Sequence, residues 1–456
     1  MQTGNRRGQA AVIVAGLVAV MATAAPRPEA IFVAIGDQHS ACERTAQFVA
    51  RVDRVRAENP GVPLAVLIDG DVFEGGNVVA QRSGGAVDFA MLRALAERTP
   101  TVLDIGNHEA EFFDLAETVA RARAAGVIVI GGNAVDRASG KPFAPASTRL
   151  PLGTHEAVIV GVMTDQLATY RAAVRPTLQI EDPRVWAGRN LPALLDHAAV
   201  PVVLSHAGLE ADRAILAMVP DGTLYVGAHN HLLLVHRIGR TLYLQSGSWT
   251  EDVSVVRLFR EDDGRARWEI EQEPVAADGP ADPALAKLIA ETRAKYLTPD
   301  DLAPVGRLPA ALGRDAAARF VVAAVRRAAG ADAAFIGNTT FGGGLPAGAV
   351  SRVALNGCVR FDGAICVAEV TGEQLREFLH AANQGPDTPF AIRRGEFQYA
   401  DGPAPAAIAP DRTYRIATTD WGMKNRGRYF GTEAIAFAER PELRLKAIVV
   451  AALQQP

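Results

Sequence analysis

The stretch IFVAIGDQH (31–39) decides the fold, because an apolar run ends directly before a carboxylate and an imidazole. The run IFVAI (31–35) predicts a buried strand, since it is short, continuous and apolar. Asp37 and His39 follow it, which places two potential metal ligands at the carboxyl end of the strand. Further apolar runs along the chain are followed by side chains of the same chemistry, so this stretch indicates how the whole domain is built.

Short apolar runs alternate with helical segments through this part of the chain. The further strand candidates are LAVLI (64–68), TVLDI (101–105), VIVI (127–130), AVIVGV (157–162), PVVL (201–204) and LYVG (224–227). Ser40 and Glu43 are expected to form a capping box for the helix that follows the first strand. The alternation predicts an α/β domain whose strands are covered on both faces.

The length of 456 residues predicts two domains, since one ordinary core seldom extends over so long a chain. We expect the first domain at residues 26–272 and a second, smaller α/β domain at residues 298–456. Residues 273–297 are expected to join them as a linker and a connecting helix, because the first part of this segment is rich in Pro, Ala, Asp and Gly.

The first 25 residues are expected to be a signal peptide. Arg6 and Arg7 precede a short apolar stretch at residues 10–21 and the small residues Ala22-Thr23-Ala24. The apolar stretch is too short to span a bilayer. We therefore expect a periplasmic or secreted protein with no stable membrane insertion after cleavage.

Composition excludes several other classes of protein. The net charge of -4 provides no basic excess for a nucleic-acid backbone, so no nucleic-acid partner is expected. Three cysteines without a CxxC pair exclude a structural zinc site made of thiolates. We expect a monomer.

Potential metal ligands follow five of the apolar runs. They are Asp37-Gln38-His39, Gly70-Asp71, Gly106-Asn107-His108-Glu109, Ser205-His206 and His229-Asn230-His231. Ligands at the ends of neighbouring strands converge at one edge of an α/β sheet. In the first and last groups, the two outer side chains point the same way if the backbone is extended. Imidazole, carboxylate and amide oxygen together suit Zn, Mn or Fe.

The order DxH, GD, GNHE, SH and HxH resembles the calcineurin-like metallophosphoesterase superfamily, and specifically the two-domain bacterial 5′-nucleotidase family. In the second half of the chain, LPAG (345–348), Phe361-Asp362-Gly363 and VTGEQL (370–375) fall at the family's spacing. The resemblance implies a calcineurin-like metallophosphoesterase sandwich followed by a smaller α/β 5′-nucleotidase C-terminal domain.

The resemblance also implies two divalent metal ions, with Zn, Mn and Fe all open as their identity. The first ion would be held by Asp37, His39 and His231, and Asp71 would bridge both ions. The second would be held by Asn107, His206 and His229. The family motif is GHxH, whereas one extra residue separates Gly227 from His229 here.

Catalysis in the family implies that a metal-bridged hydroxide attacks phosphorus in line with the leaving oxygen. His108 would face the phosphoryl group, stabilise developing charge and protonate the leaving group. The family orients this histidine with an Asp three residues later, and Glu111 stands at that position. The alternative for Glu111 is an acidic residue in the first turn of a helix, where it favours the helix dipole.

Substrate recognition departs from the family pattern. The family holds phosphate with the Arg of NxGGxR and stacks the base on an aromatic residue of a late GGDGY/F loop. The first motif contains Asn338 but no Arg here, and the late loop is basic. By position, Arg426 or Arg428 could contact phosphate and Tyr429 or Phe430 could stack on a base. Equally, this segment could be a solvated loop.

Three functions are therefore open. The leading one is an exported phosphomonoesterase of 5′-nucleotidase type. The second is a sulfate-thiol hydrolase of a sulfur-oxidation pathway, which resembles the same family and cuts a sulfur-linked sulfate. The third is a metal-binding protein that has lost nucleotide specificity or activity, against which the complete ligand set argues, because buried carboxylates and imidazoles are costly without a metal.

Overall fold

The computed structural model describes residues 27–455, so the signal-peptide prediction lies outside the described residues. Its strands are β1 (Ala30–Gly36), β2 (Leu64–Asp69), β3 (Thr101–Asp104), β4 (Ile128–Ile130), β5 (Ala134–Asp136), β6 (Ser147–Leu152), β7 (His155–Met163), β8 (Leu178–Ile180), β9 (Val200–His206), β10 (Leu224–Gly227), β11 (Leu233–Ile238), β12 (Thr241–Ser246), β13 (Asp252–Arg260), β14 (Ala266–Pro274), β15 (Pro304–Leu308), β16 (Ala333–Gly337), β17 (Gly348–Ser351), β18 (Ala364–Thr371), β19 (Gln398–Asp401), β20 (Thr413–Thr419) and β21 (Ala438–Arg444).

The helices connect these strands and cover the sheets. They are α1 (Cys42–Glu58), α2 (Val78–Ser83), α3 (Ala86–Ala96), α4 (Leu115–Ala124), α5 (Pro183–Leu194), α6 (Leu209–Ile215), α7 (Pro283–Tyr296), α8 (Pro299–Leu302), α9 (Arg314–Ala329), α10 (Arg352–Cys358), α11 (Gly372–Ala381), α12 (Asp420–Lys424), α13 (Arg426–Phe430) and α14 (Leu445–Leu453). Within residues 27–455, none of the helices is long and apolar enough to cross a membrane.

Two six-stranded sheets form a sandwich in the first part of the chain. One sheet has the order β14-β13-β1-β2-β3-β4, and the other has the order β11-β12-β10-β9-β7-β6. The strands β1 to β4 are parallel to one another, as are β7, β9, β10 and β12. The carboxyl ends of parallel strands lie at one edge of each sheet, which is where the predicted ligands follow.

The first strand is buried on both faces. Phe32 and Ala34 point into the apolar core between the two sheets. Ile31, Val33 and Ile35 point outward into a second core beneath the helices α1, α3 and α4. This double burial explains why β1 is a continuous apolar run, as parallel strands covered on both faces usually are. The predicted α/β fold class is confirmed.

A five-stranded sheet with the order β19-β16-β20-β18-β21 forms the second part of the chain. Its apolar core is continuous with the outer face of the second sheet of the sandwich, since Val203 and Leu234 belong to the same cluster as Ala334 and Phe341. The connecting helix α7 packs on the sandwich through Leu285 and Ile289. The two parts therefore share buried apolar surface.

The predicted capping box at the start of α1 is wrong. The helix begins at Cys42, and its N-cap residue is Ala41, whose side chain cannot cap. Ser40 lies one residue earlier with a positive φ of 54°. Its hydroxyl donates to Asp88 at 3.1 Å and accepts from the backbone N–H of Glu74 at 3.0 Å. The serine thus ties together the loops after β1 and β2.

Candidate metal centre

The loops after five strands bring the predicted ligands to one end of the sandwich. Asp37 and His39 follow β1, Asp71 follows β2, and His206 is the last residue of β9. The remaining ligand candidates, Asn107, His229 and His231, follow β3 and β10. All seven residues are at least nine-tenths buried.

The loops that carry the ligand candidates are not extended. This corrects the expectation of an extended backbone for the pairs Asp37/His39 and His229/His231. Asp37 and His39 have φ angles of 52° and 48°, His229 and His231 have 74° and 59°, and Asp71 has 52°. Left-handed backbone costs a residue with a Cβ atom about 1–2 kcal/mol. Such strain is typical of functional sites, where surrounding structure enforces it.

Three of the ligand candidates form a first group. The Asp37 Oδ1 atom lies 3.8 Å from His39 Nε2 and 3.9 Å from His231 Nε2. The two imidazole Nε2 atoms are 2.9 Å apart. Two donors that each lie about 2.1 Å from one ion are separated by about 3–3.5 Å, so this group has the dimensions of a metal site.

A second group forms around Asp71. Its Oδ2 atom lies 3.0 Å from His206 Nε2 and 3.9 Å from His39 Nε2, so the carboxylate stands between the two groups. On the far side, His229 Nδ1 lies 2.9 Å from the side-chain oxygen of Asn107. One potential ligand atom from each of Asp71, His206 and His229 lies within 4.8 Å of the other two, a spacing that suits a single ion.

Some polar atoms at this site lack partners among the described residues. Asp37 Oδ2 and His229 Nε2 are buried without a hydrogen-bond partner within residues 27–455, and His206 Nε2 faces only the Asp71 carboxylate. Burial raises the pKa of Asp37 to about 8 and lowers the pKa of His231 to about 3. Buried carboxylates and imidazoles placed this close together fit divalent cations, which would satisfy unpartnered ligand atoms.

Residues beneath the ligands hold them in place. The Glu109 carboxylate accepts hydrogen bonds from the backbone N–H groups of Asp71 at 3.0 Å, Val72 at 2.9 Å and Gly106 at 2.7 Å. Glu109 is the last residue of the GNHE motif, so the sequence indicates its place near the ligand candidates but not these hydrogen bonds. Gly70 has a φ of +66°, and a Cβ atom there would lie 2.6 Å from His206 Nδ1.

His108 lies beside the two groups and is oriented by Glu111. The His108 Nδ1 atom is 2.8 Å from Glu111 Oε1. Burial lowers the pKa of His108, but the nearby Asp71 and Glu111 carboxylates outweigh burial and raise it to about 10. Glu111 precedes α4, which begins at Leu115 after its N-cap Asp114. Glu111 thus lies outside the first turn of α4 and in contact with His108, and its orienting role stays a prediction.

A cavity of about 310 Å³ opens above the ligands, between the sandwich and the five-stranded sheet. We call it the interdomain cavity. It is lined by His39, Asp71, Glu74, Asn107, His108, Ala168, Thr169, His229, His231, Trp249, Thr339, Thr340, Phe361, Asp362, Gly363, Glu396, Thr419, Asp420, Trp421 and Leu445. Among these described lining residues there is no lysine or arginine, and the carboxylates of Asp362, Glu396 and Asp420 are each paired with a basic side chain outside the lining.

The predicted aromatic platform is wrong. Tyr429 and Phe430 are 3% and 5% exposed and lie outside the lining of the interdomain cavity. Phe430 packs edge-on against Phe335 in an apolar core, and the Tyr429 hydroxyl donates to Glu396 at 2.8 Å. Neither ring offers a free face to a base, because the segment folds as the short helix α13.

The predicted polar substrate contacts also lie outside the cavity lining. Arg428 contacts the Glu396 carboxylate at 2.6 Å, and Arg426 contacts Glu433 at 3.2 Å. The Asn338 side-chain amide donates to the Asn230 carbonyl at 3.0 Å. Asn338 and Arg428 therefore support the walls of the site, since Asn230 stands between two metal-ligand candidates and Glu396 lines the cavity.

Residues 304–432 match the family model described as 5′-nucleotidase, C-terminal domain. A comparison with curated protein sequences finds no match. These findings, with the solved structures below, confirm the resemblance to the two-domain 5′-nucleotidase family.

Solved structures share the fold over nearly the whole chain. A 5′-nucleotidase precursor from Thermus thermophilus is 17% identical, with a TM-score of 0.64 over 93% of this chain and 96% of that chain. The sulfate thiohydrolase SoxB from Thermus thermophilus is 14% identical, with a TM-score of 0.67 over 94% of each chain. A 5′-nucleotidase from Candida albicans is 12% identical, with a TM-score of 0.61 over 94% of this chain and 98% of that chain.

Proposed function

We propose that this protein, whose chain has the fold of the two-domain 5′-nucleotidases, is an exported metal-dependent hydrolase of phosphate monoesters. Nucleotides are the leading substrate class. One observation carries the proposal: the Asp71 carboxylate stands between two groups of buried ligand candidates. His108, which contacts the Glu111 carboxylate, lies beside both groups.

Two divalent cations fit the two groups of ligand candidates. Asp37, His39 and His231 would hold the first, Asn107, His206 and His229 the second, and Asp71 would contact both. When bound, such a pair supplies Lewis-acid polarisation of phosphoryl oxygens and makes water a stronger nucleophile near neutral pH.

His108 would act on the reacting phosphoryl group from the protein side. Glu111 engages Nδ1 of His108, which leaves Nε2 as the ring nitrogen available to the cavity that His108 lines. A protonated imidazole there donates a hydrogen bond to a phosphoryl oxygen and can pass its proton to the leaving oxygen. Buried walls around the site limit the access of bulk water, which strengthens these electrostatic contacts.

The leaving group would occupy the outer part of the interdomain cavity. Trp421 and Phe361 line this part, and Phe361 is 47% exposed. Both offer aromatic surface, which Tyr429 and Phe430 do not, so they are the candidates for stacking on a nucleotide base. Asp362 and Asp420 lie beside them and could accept hydrogen bonds from ribose hydroxyl or base amino groups.

A hydrolysis screen tests the proposal. The purified protein would be reconstituted with Zn, Mn or Fe and assayed for phosphate release from nucleotides, sugar nucleotides, cyclic nucleotides and simple phosphate esters. We expect metal-dependent release from monoesters, with the highest kcat/KM for a nucleoside monophosphate. Absence of release from every ester with every metal would contradict the proposal.

A second candidate is hydrolysis of a thiol-linked sulfate, as the name of the similar thiohydrolase describes for that protein. The described lining of the interdomain cavity contains no lysine or arginine and favours it, because a sulfate ester carries less negative charge than a phosphate monoester and needs less positive charge to compensate it. Release of sulfate from an S-sulfonated cysteine peptide, without phosphate release in the first screen, would replace the leading proposal with this one.

A further inference from the structure

Glu74 is a buried carboxylate that lies directly behind a metal-ligand candidate. It follows β2, is 1% exposed and lines the interdomain cavity. Its Oε2 atom faces the Nδ1 atom of His39 at 3.5 Å, and Nδ1 has no nearer hydrogen-bond partner among the described residues. The opposite ring nitrogen of His39, Nε2, points toward Asp37 and His231.

Arg360 reaches this carboxylate from the other part of the chain. It lies between α10 and β18 and is 6% exposed. Its Nε and Nη2 atoms lie 3.0 Å and 2.9 Å from Glu74 Oε2. Its Nη2 atom also donates to the carbonyl oxygen of His39 at 3.4 Å. A single arginine of the second domain thus contacts both the residue behind the ligand and the ligand's own backbone.

Trp249 completes the arrangement. The Arg360 guanidinium lies 4.3 Å from the centre of the Trp249 ring, and this ring lies 4.5 Å from the ring of His39. The indole therefore separates the cation from solvent and packs on the imidazole. A desolvated guanidinium binds more strongly to a carboxylate and to an aromatic face than an exposed one does.

Two glycines make room for these side chains. A Cβ atom at Gly342 would lie 2.9 Å from Arg360 Cδ, and one at Gly76 would lie 2.2 Å from Glu74 Oε1. The Gly-rich turn at 342–344 is the region in which the 5′-nucleotidase pattern would place a phosphate-binding arginine. In this chain the space beside the turn holds Arg360, which is directed at Glu74 instead.

We propose that Glu74 and Arg360 are positioning residues for His39, and that they couple docking of the second domain to the affinity of the first metal site. A carboxylate at the outer nitrogen of a histidine ligand fixes the tautomer and the ring orientation, which leaves the inner nitrogen for the metal. Arg360 holds that carboxylate and balances its charge. The inference rests on the proposed metal centre but not on the identity of the substrate.

Metal affinity without substrate tests this inference. The purified full chain, stripped of metal, would be titrated with Zn²⁺ or Mn²⁺ in competition with a chromophoric chelator. We expect Glu74→Gln and Arg360→Gln each to weaken one of two binding steps by about 10- to 100-fold and to leave the other unchanged. Arg360→Lys keeps the charge and should retain more of the affinity than Arg360→Gln.

Arg213→Ala is the matched control. Arg213 also joins the two parts of the chain, through the Phe390 carbonyl at 2.5 Å, but contacts no ligand candidate. It should leave both binding steps unchanged. If a single variant fails to fold by circular dichroism, the double variant Glu74→Gln/Arg360→Met removes both buried charges at similar volume and should fold with the same loss of affinity.

The outcomes separate this inference from the proposed function. Two unchanged binding steps in the folded variants, or the same loss in Arg213→Ala, would overturn the positioning role alone. A wild-type chain that binds neither metal would overturn the proposed metal centre and this inference together. Lack of phosphatase activity in a chain that binds two ions would overturn only the proposed substrate chemistry.

Discussion

The Nδ1 atom of His108 lies 2.8 Å from Oε1 of Glu111, while the other carboxylate oxygen of Glu111 accepts a hydrogen bond from the Gly75 N–H at 3.3 Å. Glu111 is therefore held between the loop after β2 and the imidazole. This fixes the orientation of His108 at the wall of the interdomain cavity. The first two predictions separate the roles of these residues.

Substitution His108→Asn should lower kcat by about 10²- to 10⁴-fold, as is typical for loss of an acid or base group. Metal content should stay near that of the wild type, because His108 belongs to neither of the two groups proposed to hold an ion. Elemental analysis and steady-state kinetics on the same preparation check both statements. A parallel fall in metal content and rate would identify His108 as a ligand.

Substitution Glu111→Gln should lower kcat less than His108→Asn does. Loss of a hydrogen bond to a charged group costs about 1.5–3 kcal/mol, which corresponds to roughly a 10- to 150-fold slower rate. Glu117→Gln is the control, since Glu117 is exposed in the first turn of α4. Equal kinetics for the two variants and the wild type would show that the contact has no catalytic role.

Base recognition should depend on Trp421 and Phe361. Stacking contributes about 1–3 kcal/mol per base, so Trp421→Ala or Phe361→Ala should lower kcat/KM for a nucleoside monophosphate by roughly ten- to a hundred-fold. For a small aryl phosphate, the kcat/KM of both variants should stay close to that of the wild type, because this substrate does not reach the outer part of the cavity. Equal losses on both substrates in both variants would argue against a base site here.

The ligand loops could be predicted from the sequence because they obey a simple geometric rule. Each ligand candidate follows an apolar run, and the carboxyl ends of parallel strands meet at one edge. Asp37, Asp71 and His206 meet in this way. The strand positions followed from short, continuous apolar runs, as β1 and β9 illustrate.

The contacts that the sequence could not indicate arise from tertiary packing. Glu74 and Arg360 are far apart in the chain and meet only when the two parts dock. Tyr429 and Phe430 stood at a suggestive position, but a short helix turns both rings into the core. Ser40 lies in a left-handed backbone conformation that loop contacts enforce, so its capping pattern was misleading.

The stability of the protein should depend on pH through Asp88, which is fully buried in α3. Burial raises its pKa from 3.8 to about 7, despite the hydrogen bond from Ser40 that lowers it. The folded protein therefore keeps a proton that the unfolded chain releases above about pH 4, so stability falls as pH rises from about 4 to 8. The full effect of this group is at most about 4 kcal/mol.

Urea unfolding of the wild type and of Asp88→Asn across this pH range checks the statement. The variant lacks the titrating group, so the difference in unfolding free energy between the two proteins should shift in favour of the variant as pH rises. Asp278→Asn, at an exposed position, should give a pH-independent difference. A pH-independent difference for Asp88→Asn as well would mean that folding does not raise the pKa of this carboxyl.

The dinuclear metal centre is the central claim, and metal content of Asp71→Ala tests it most directly. Asp71 Oδ2 lies 3.0 Å from His206 Nε2 and 3.9 Å from His39 Nε2, so one carboxylate serves both groups. Elemental analysis should find about two ions per chain in the wild type and loss of both in Asp71→Ala, whereas Asn107→Ala or His206→Ala should mainly weaken the second site. Two full equivalents of metal retained by folded Asp71→Ala would contradict the account.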